Sequence, residues 1–230
     1  MSKHANLRLT AKLLPIILPF MAKDDLRYYL NAINVRPHKD GGALICATNG
    51  QALGAIYDRN AVCEHEVILR FDRELREACA DGIANDRAVV MIGENLAVIE
   101  HKKIQVCLQA GDPVIEANYP RYETLFPAES VLQPGLHGMF GGPLVNRFKK
   151  AVVAAAKAHE LNPRIYTGLK FFTGGTTGAD VAVVRMAIEP NFAGVIMPMR
   201  ADKEIAMLPQ WVIDMQPATP EAAEGDEVPA

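Results

Sequence analysis

Metal or nucleophile chemistry in this 230-residue chain would have to be built from six histidines and four cysteines. His4, His38, His65, His101, His137 and His159 never stand at ligand spacing with one another. Cys46, Cys63, Cys79 and Cys107 form no Cys-x-x-Cys pair and have no histidine pair beside them, which points to thiols in a reducing compartment. His65, between Glu64 and Glu66, reads as a strand-edge residue. The run Gly174-Gly175-Thr176-Thr177-Gly178 has the composition of a phosphate cradle but lacks the Gly-Lys-Ser/Thr ending. It joins two apolar runs and opens no helix, so a hairpin loop is expected. The adjacent acids Asp24 and Asp25 read as solvation of a helix end. No nucleophile stands beside a base. The expectation is a protein without catalytic residues, metal or cofactor.

Basic residues are more informative. Between Pro143 and Leu161, Arg147, Lys150 and Lys157 fall on one side of a predicted helix, with Ala154 between them. Such a face suits phosphate contacts that are weak, salt-screened and blind to sequence. It equally fits the solvated face of an amphipathic helix. Arg73 and Arg76, with Arg70 just before, add cations that Asp72, Glu74 and Glu77 largely neutralise. Residues 201–230 hold seven acids against Lys203 alone, a net −6, so the other 200 residues sum to +3 within the total of −3. A mildly basic body with an acidic tail permits contact with nucleic acid.

The elements that would position these residues are legible in part. Leu9 to Lys23 reads as a helix with Thr10 as N-cap and a kink at Pro15 and Pro19. Strands follow at Leu30–Val35, Gly42–Ala47, Ala52–Asp58 and Val67–Arg70, with Thr48-Asn49-Gly50-Gln51 as a turn. A helix over Phe71–Ala80 precedes strands at Ala88–Ile92, Leu96–His101 and Lys103–Ala110. This order is a βαβββ unit used twice. Ala110 to Gly142 is a Pro- and Gly-rich connector. The helix after it should bury Leu144, Phe148, Val152, Ala155 and His159. Strands at Arg164–Thr173, Asp180–Glu189 and Gly194–Met199 complete one more such unit. The longest apolar stretch, Leu13 to Ala22, is too short to span a bilayer, and a cytoplasmic protein is expected. The residues from Met215 onward have a disordered composition. Ile205 to Met215 is too apolar for simple linker; two placements stand for it, packing over the last unit or folding into a cleft.

Four segments, in order, resemble the last two domains of the bacterial DNA polymerase III beta sliding clamp family. Asp25-Leu26-Arg27-Tyr28-Tyr29-Leu30-Asn31 is similar to the family's loop and strand after the first helix of its middle domain. Ala47-Thr48-Asn49-Gly50-Gln51-Ala52-Leu53 resembles its Ala-Thr-Asp-Gly-His-Arg-Leu turn. Tyr119-Pro120-Arg121-Tyr122 and the residues to Pro127 resemble its Phe-Pro-Asp-Tyr stretch, and Val195-Ile196-Met197-Pro198-Met199-Arg200 its Met-Pro-Met-Arg ending. Departures are the absence of the family's first domain, room for one unit where its last domain has two, and the residues beyond Arg200.

The resemblance implies an α+β, DNA-clamp-like fold of repeated βαβββ units, antiparallel sheets outside and helices on the inner face. It divides the chain into a complete clamp-like domain at 1–127, a half domain at 128–200 and an acidic, partly disordered tail at 201–230. It further implies a hydrophobic cleft for peptides of DNA polymerase or other clamp-motif proteins, walled by Leu30, Thr48, Gly50, Leu53, Pro120, Leu125, Val195, Met197, Pro198, Met199 and Arg200. Methionines suit such a site because they re-pack around different partners. For Leu30 and Val195 an ordinary core role stands beside the cleft reading. Contact with double-stranded DNA would fall to Arg27, Tyr28, Tyr29, Arg73, Arg147, Lys150 and Lys157. Homo-oligomerisation needs complementary edges at both ends of a protomer. The alternative is a monomeric peptide-binding module that does not encircle DNA.

Overall fold

The computed structural model describes residues 7–80, 89–93, 96–101, 104–110, 113–175, 180–200 and 215. Met1–Arg200 form one compact unit and Ala201–Ala230 a second. The expectations for the tail, including those for the apolar stretch at 205–214, lie outside the described residues.

Three βαβββ units follow one another. The first has β1 (Leu7–Thr10), α1 (Leu14–Ile17), β2 (Ile33–Pro37), β3 (Ala43–Thr48) and β4 (Ala52–Asp58). In the second, β5 (Val67–Leu69) and α2 (Arg73–Ala80) lead to β6 (Val89–Gly93), β7 (Leu96–His101) and β8 (Ile104–Ala110). The third has β9 (Gln133–Pro134), α3 (Gly142–Ala158), β10 (Leu169–Thr173), β11 (Ala182–Met186) and β12 (Glu189–Ile196). All strand pairings are antiparallel. The first two units exchange their first strands, so that β1 pairs with β6 and β5 with β2. One sheet is therefore β1-β6-β7-β8, and the other is β5-β2-β3-β4-β12-β11-β10-β9. The larger sheet draws strands from both sides of residue 127.

The expected single helix from Leu9 to Lys23 is replaced by a strand and a broken helical path. Leu7–Thr10 is β1, and Ala11–Leu13 and Leu18–Phe20 are 3-10 turns on either side of α1. Pro15 and Pro19 lie in the first turn of their segments, where a missing N–H costs nothing but a continuous ladder is impossible. Thr10 caps no helix: its N–H and hydroxyl donate to the Asp58 carboxylate at 2.7 and 3.0 Å. That buried carboxylate also accepts from Asn60 N–H at 3.0 Å, which ties the end of β4 to β1. Tyr28–Asn31 is a 3-10 turn, so β2 begins only at Ile33. In the third unit the turn falls at Ala187-Ile188 and β12 ends at Ile196, placing Met197 to Arg200 beyond the strand.

A cluster of rings joins the first and third units. Phe20 meets Phe148 edge-on at 4.8 Å between centroids and Phe192 at 5.9 Å. Space for these rings comes from Gly54 and Gly194, which face one another across the β4–β12 pairing. A Cβ on Gly54 would collide with the Phe20 ring, and one on Gly194 would collide with Phe148. α3 buries Leu144, Phe148, Ala151, Val152, Ala155 and Ala156. His159, expected in that core, is instead exposed at the helix end, where its Nε2 contacts the buried Glu189 carboxylate at 2.9 Å. Among the described residues no helix is long and apolar enough to cross a membrane.

Candidate functional site

The turn between β3 and β4 is held by its own side chains. The Thr48 hydroxyl donates to Ala52 O at 2.9 Å and accepts from Gly50 N–H at 3.0 Å. Asn49 Oδ1 accepts from Gln51 N–H at 3.1 Å and from Ala52 N–H at 2.8 Å. Asparagine here supplies the side-chain oxygen that aspartate would. Gly50 takes φ +87°, a left-handed conformation open to glycine at little cost.

A second loop lies on this turn. Arg27 donates through its backbone N–H and Nε to Asp25 Oδ1, at 2.9 and 3.0 Å, and through a terminal nitrogen to Oδ2 at 2.9 Å. These hydrogen bonds hold the Asp25 carboxyl down at about 2. Asn31 exchanges hydrogen bonds with the Asp25 backbone at 3.1 and 2.9 Å. The Arg27 guanidinium rests over Gly50, 3.1 Å from where a Cβ would stand. Arg27 is thus engaged by Asp25 and the Gly50 turn, whereas Tyr28 and Leu26 are exposed.

The floor beneath is a small separate core. Leu30, Leu53 and Val195 are buried there, with Cys46, Ile68, Tyr119 and Tyr122. Leu53 and Val195 are register partners across β4 and β12. Tyr28, Tyr29, Tyr119 and Tyr122 stack edge to face in sequence at 5.9, 6.5 and 6.5 Å, and Arg36 covers the Tyr122 ring at 5.4 Å. Burial pushes both inner tyrosine hydroxyls upward in pKa, so they stay neutral. Sequence reasoning missed Tyr119 and Tyr122 as wall residues, although their i, i+3 spacing within Tyr-Pro-x-Tyr was available.

Other expected cleft residues lie at the surface. Met197 and Met199 are 42% and 47% exposed, Leu125 is 40% exposed, and Pro120 and Arg200 are exposed. Met197 N–H donates to Gln51 O at 2.9 Å, laying the segment after β12 along the Thr48–Ala52 turn. Met199 N–H donates to Met139 O at 2.7 Å, and its sulfur lies 3.3 Å from the Cβ position of Gly141. Met139 is a neighbour the sequence reading did not include. Leu125 closes a 3-10 turn, Glu123–Leu125, directly before Phe126, which packs on the Leu53–Val195 core. Pro198 is half-buried between the two methionines.

The cationic residues separate by role. Arg147 does not lie free on the face of α3. Its guanidinium donates to Pro19 O and, at 2.9 Å, to Met21 O, and burial lowers its pKa. Arg73 pairs with Glu77 at 2.6 Å. Lys150 and Lys157 are exposed, as is Lys149. A concavity of about 490 Å³ between the first helical segment, α2 and α3 is lined by Lys23, Arg76, Arg147 and Lys150, and the adjoining hollow that shares Lys23 and Arg76 adds Asp24 and Glu77. Lys157 lies outside it. Among the described residues no group of three His, Cys, Asp or Glu is placed to hold a metal. Burial raises the Cys63 and Cys79 thiols to about 11 and 12, so both are protonated at neutral pH.

No protein-family model and no curated protein matches the sequence. The architecture is that of a DNA sliding clamp. It is similar to the DNA polymerase sliding clamp of Pseudomonas aeruginosa, with TM-score 0.56 and 14% identity over 87% of this chain and 69% of that one. The DNA polymerase III beta subunit of Borrelia burgdorferi gives TM-score 0.55 and 12% identity, covering 87% and 66%. The beta subunit of Streptococcus pyogenes gives 0.56 and 13%, covering 87% and 67%. At such identity the likeness establishes the fold.

Proposed function

We propose that this chain is a sliding-clamp-like accessory factor of DNA replication or repair, without catalysis of its own. It takes up peptides of DNA polymerase or other clamp-motif proteins in a hydrophobic cleft. One observation carries this reading: three segments distant in sequence meet around the Leu53–Val195 pair. Arg27 seats the loop at 25–31 on the Gly50 turn, and the Met197–Gln51 hydrogen bond seats the segment 197–200 on that same turn. The floor is buried, while Met197, Met199 and Leu125 stand exposed beside it as adaptable apolar contacts. The domain division at 127 and 200, a cytoplasmic location and contact with double-stranded DNA belong to the same proposal. The grouping of Lys23, Arg76 and Lys150 around one concavity supports the DNA contact, with Asp24 and Glu77 beside it limiting the charge.

Calorimetric titration with a Gln-Leu-x-Leu-Phe peptide tests the cleft. Micromolar affinity is expected, about −8 kcal/mol. Met197→Glu and Leu125→Glu should each abolish it while leaving the unfolding midpoint in place, because both side chains are exposed. Binding equal to the unsubstituted protein removes the cleft. The second reading, a peptide-binding module that does not track DNA, is favoured by the engagement of Arg147 and Arg73 within the protein. Duplex-DNA anisotropy at low salt separates the two, since phosphate contact must be steeply salt-dependent.

A further inference from the structure

Three polar side-chain atoms around the small core beneath the cleft have nothing to bond: among the described residues, the hydroxyls of Tyr119 and Tyr122 and Oδ1 of Asn34 are buried without a hydrogen-bond partner. Tyr119 is 9% exposed, Tyr122 3% and Asn34 0%. The three share one neighbourhood. The tyrosine rings stand 6.5 Å apart in a core that also holds Cys46, the register partner of Asn34 on β3. Asn34 uses its Nδ2 to donate to Glu66 at 2.8 Å, which leaves its oxygen unused. The Tyr119 hydroxyl lies toward the Thr48 backbone, at the foot of the cleft turn, without bonding it. The Thr48 hydroxyl is itself committed to Ala52 O and Gly50 N–H.

A buried hydroxyl left unbonded costs stability, and phenylalanine in its place removes that cost. The sliding-clamp stretch that Tyr119-Pro120-Arg121-Tyr122 resembles begins with phenylalanine, so this chain adds a hydroxyl where that stretch has none. Tyr119 also lines a hollow of about 850 Å³, together with Arg36, Glu66, Asn118, Arg121 and Glu123. Two arginines and two carboxylates balance there, and Arg36 already meets both Glu66 and Glu123. A neutral group that both donates and accepts suits such a place better than an ion does.

We propose that Tyr119 and Tyr122 form a polar subsite of the peptide cleft and take a side-chain carboxamide of the partner peptide, beside its apolar anchors. The inference rests on the cleft reading given above. The two hydroxyls donate to the carboxamide oxygen and Asn34 Oδ1 accepts from its nitrogen, so one group satisfies all three orphaned atoms. A carboxylate would leave Asn34 Oδ1 without a donor and would face Glu66 and Glu123. An ammonium would leave both hydroxyl protons without an acceptor. Pro120 and Leu125, exposed on the same segment, supply the apolar rim on either side of Tyr122. Rotation of the Tyr119 side chain, an ordinary change at an interface, opens the core to the hollow and admits the carboxamide.

Calorimetry with two peptides tests it: Gln-Leu-x-Leu-Phe, and the same peptide with methionine in place of glutamine. Each is titrated into the full chain, into Tyr119→Phe and into Tyr119→Phe with Tyr122→Phe. The unsubstituted protein should prefer the glutamine peptide by about tenfold, and the double variant should bind the two alike. Hydroxyls that served packing alone would change both affinities together and leave the ratio where it was. Urea unfolding of the free proteins is the second measurement, and loss of unbonded hydroxyls should raise the midpoint of both variants. A lowered or unchanged midpoint shows the hydroxyls to be bonded already and overturns the subsite, whatever the peptides do. A preference absent from the unsubstituted protein, or one that persists in the double variant, overturns the subsite and leaves the cleft standing. Failure of both peptides to bind the unsubstituted protein overturns the cleft reading, and the subsite with it.

Discussion

Replacing Arg147 decides whether this side chain serves the fold or a bound polyanion. Its guanidinium closes the end of the first helical segment through Pro19 O and Met21 O, carbonyls that the prolines and the turn leave without helical partners. A hydrogen bond from a charged donor contributes about 1.5–3 kcal/mol net. For two such bonds at a partly exposed site, Arg147→Ala should cost about 2–4 kcal/mol. In a chain of this length each kcal/mol lowers the midpoint by about 2–4 °C, so a fall of about 5–15 °C is expected in a thermal scan. Arg147→Lys keeps the charge but not the planar fork, and should lose an intermediate amount. In parallel, duplex-DNA affinity is followed against salt. Each phosphate contact contributes about 0.9 to the slope of log K on log salt. The slope should be unchanged in Arg147→Lys and lower in Lys150→Ala. An Arg147→Ala protein with its original midpoint and a slope reduced by about 0.9 would refute the structural role.

Two further outcomes follow from the geometry. Gly54→Ala drives a methyl into the Phe20 ring and should cost about 1–3 kcal/mol by overpacking, part of it recovered when Phe20→Leu is added; strictly additive losses in the urea midpoints of the pair would show the two do not touch. Arg27→Ala should return the Asp25 carboxyl from about 2 toward its ordinary 3.8, read by its NMR titration. Because the folded pKa is depressed, whatever the pair contributes is present above the ordinary value and fades as pH falls toward 2. Arg27 is exposed and Asp25 half-buried in a surface loop, so the order of the 25–31 loop should respond more than the global midpoint.

Short apolar runs between turn signals were legible: Leu96–His101 and Ala52–Asp58 stand as read. The repeated βαβββ unit was legible as well, but its first copy was blurred. An apolar run through Leu13–Leu18 hides the change from strand to helix at Thr10, whose hydroxyl is taken by Asp58 from another element. The same limit explains Arg147. Spacing on a helix tells which side chains share a face, not that Pro19 and Met21 of a distant segment wait beside one of them. For Leu30 and Val195 the sequence left core and cleft open together, while Leu53 was expected in the cleft wall; burial of all three at 1–2% makes them floor rather than rim. The end of β12 was misjudged because the apolar run continues to Met199, whereas the ladder stops before Pro198.

The exchange of first strands has a consequence for synthesis. When Leu7–Thr10 leaves the ribosome, the strand it pairs with, Val89–Ile92, has yet to be made. The sheet of the first unit waits in turn for Val67–Leu69. Neither unit can close alone, so the first hundred or so residues must fold as one cooperative event, with long-range pairing that slows the search. During that wait the apolar strands are exposed together, and the nascent chain depends on chaperones or on speed to stay soluble. The third unit comes later and adds to the finished edge of β4, a template that needs no rearrangement. Pulse proteolysis of stalled chains ending before Ile104 should find them uniformly labile, and chains extended past Ala110 should become resistant in a single step.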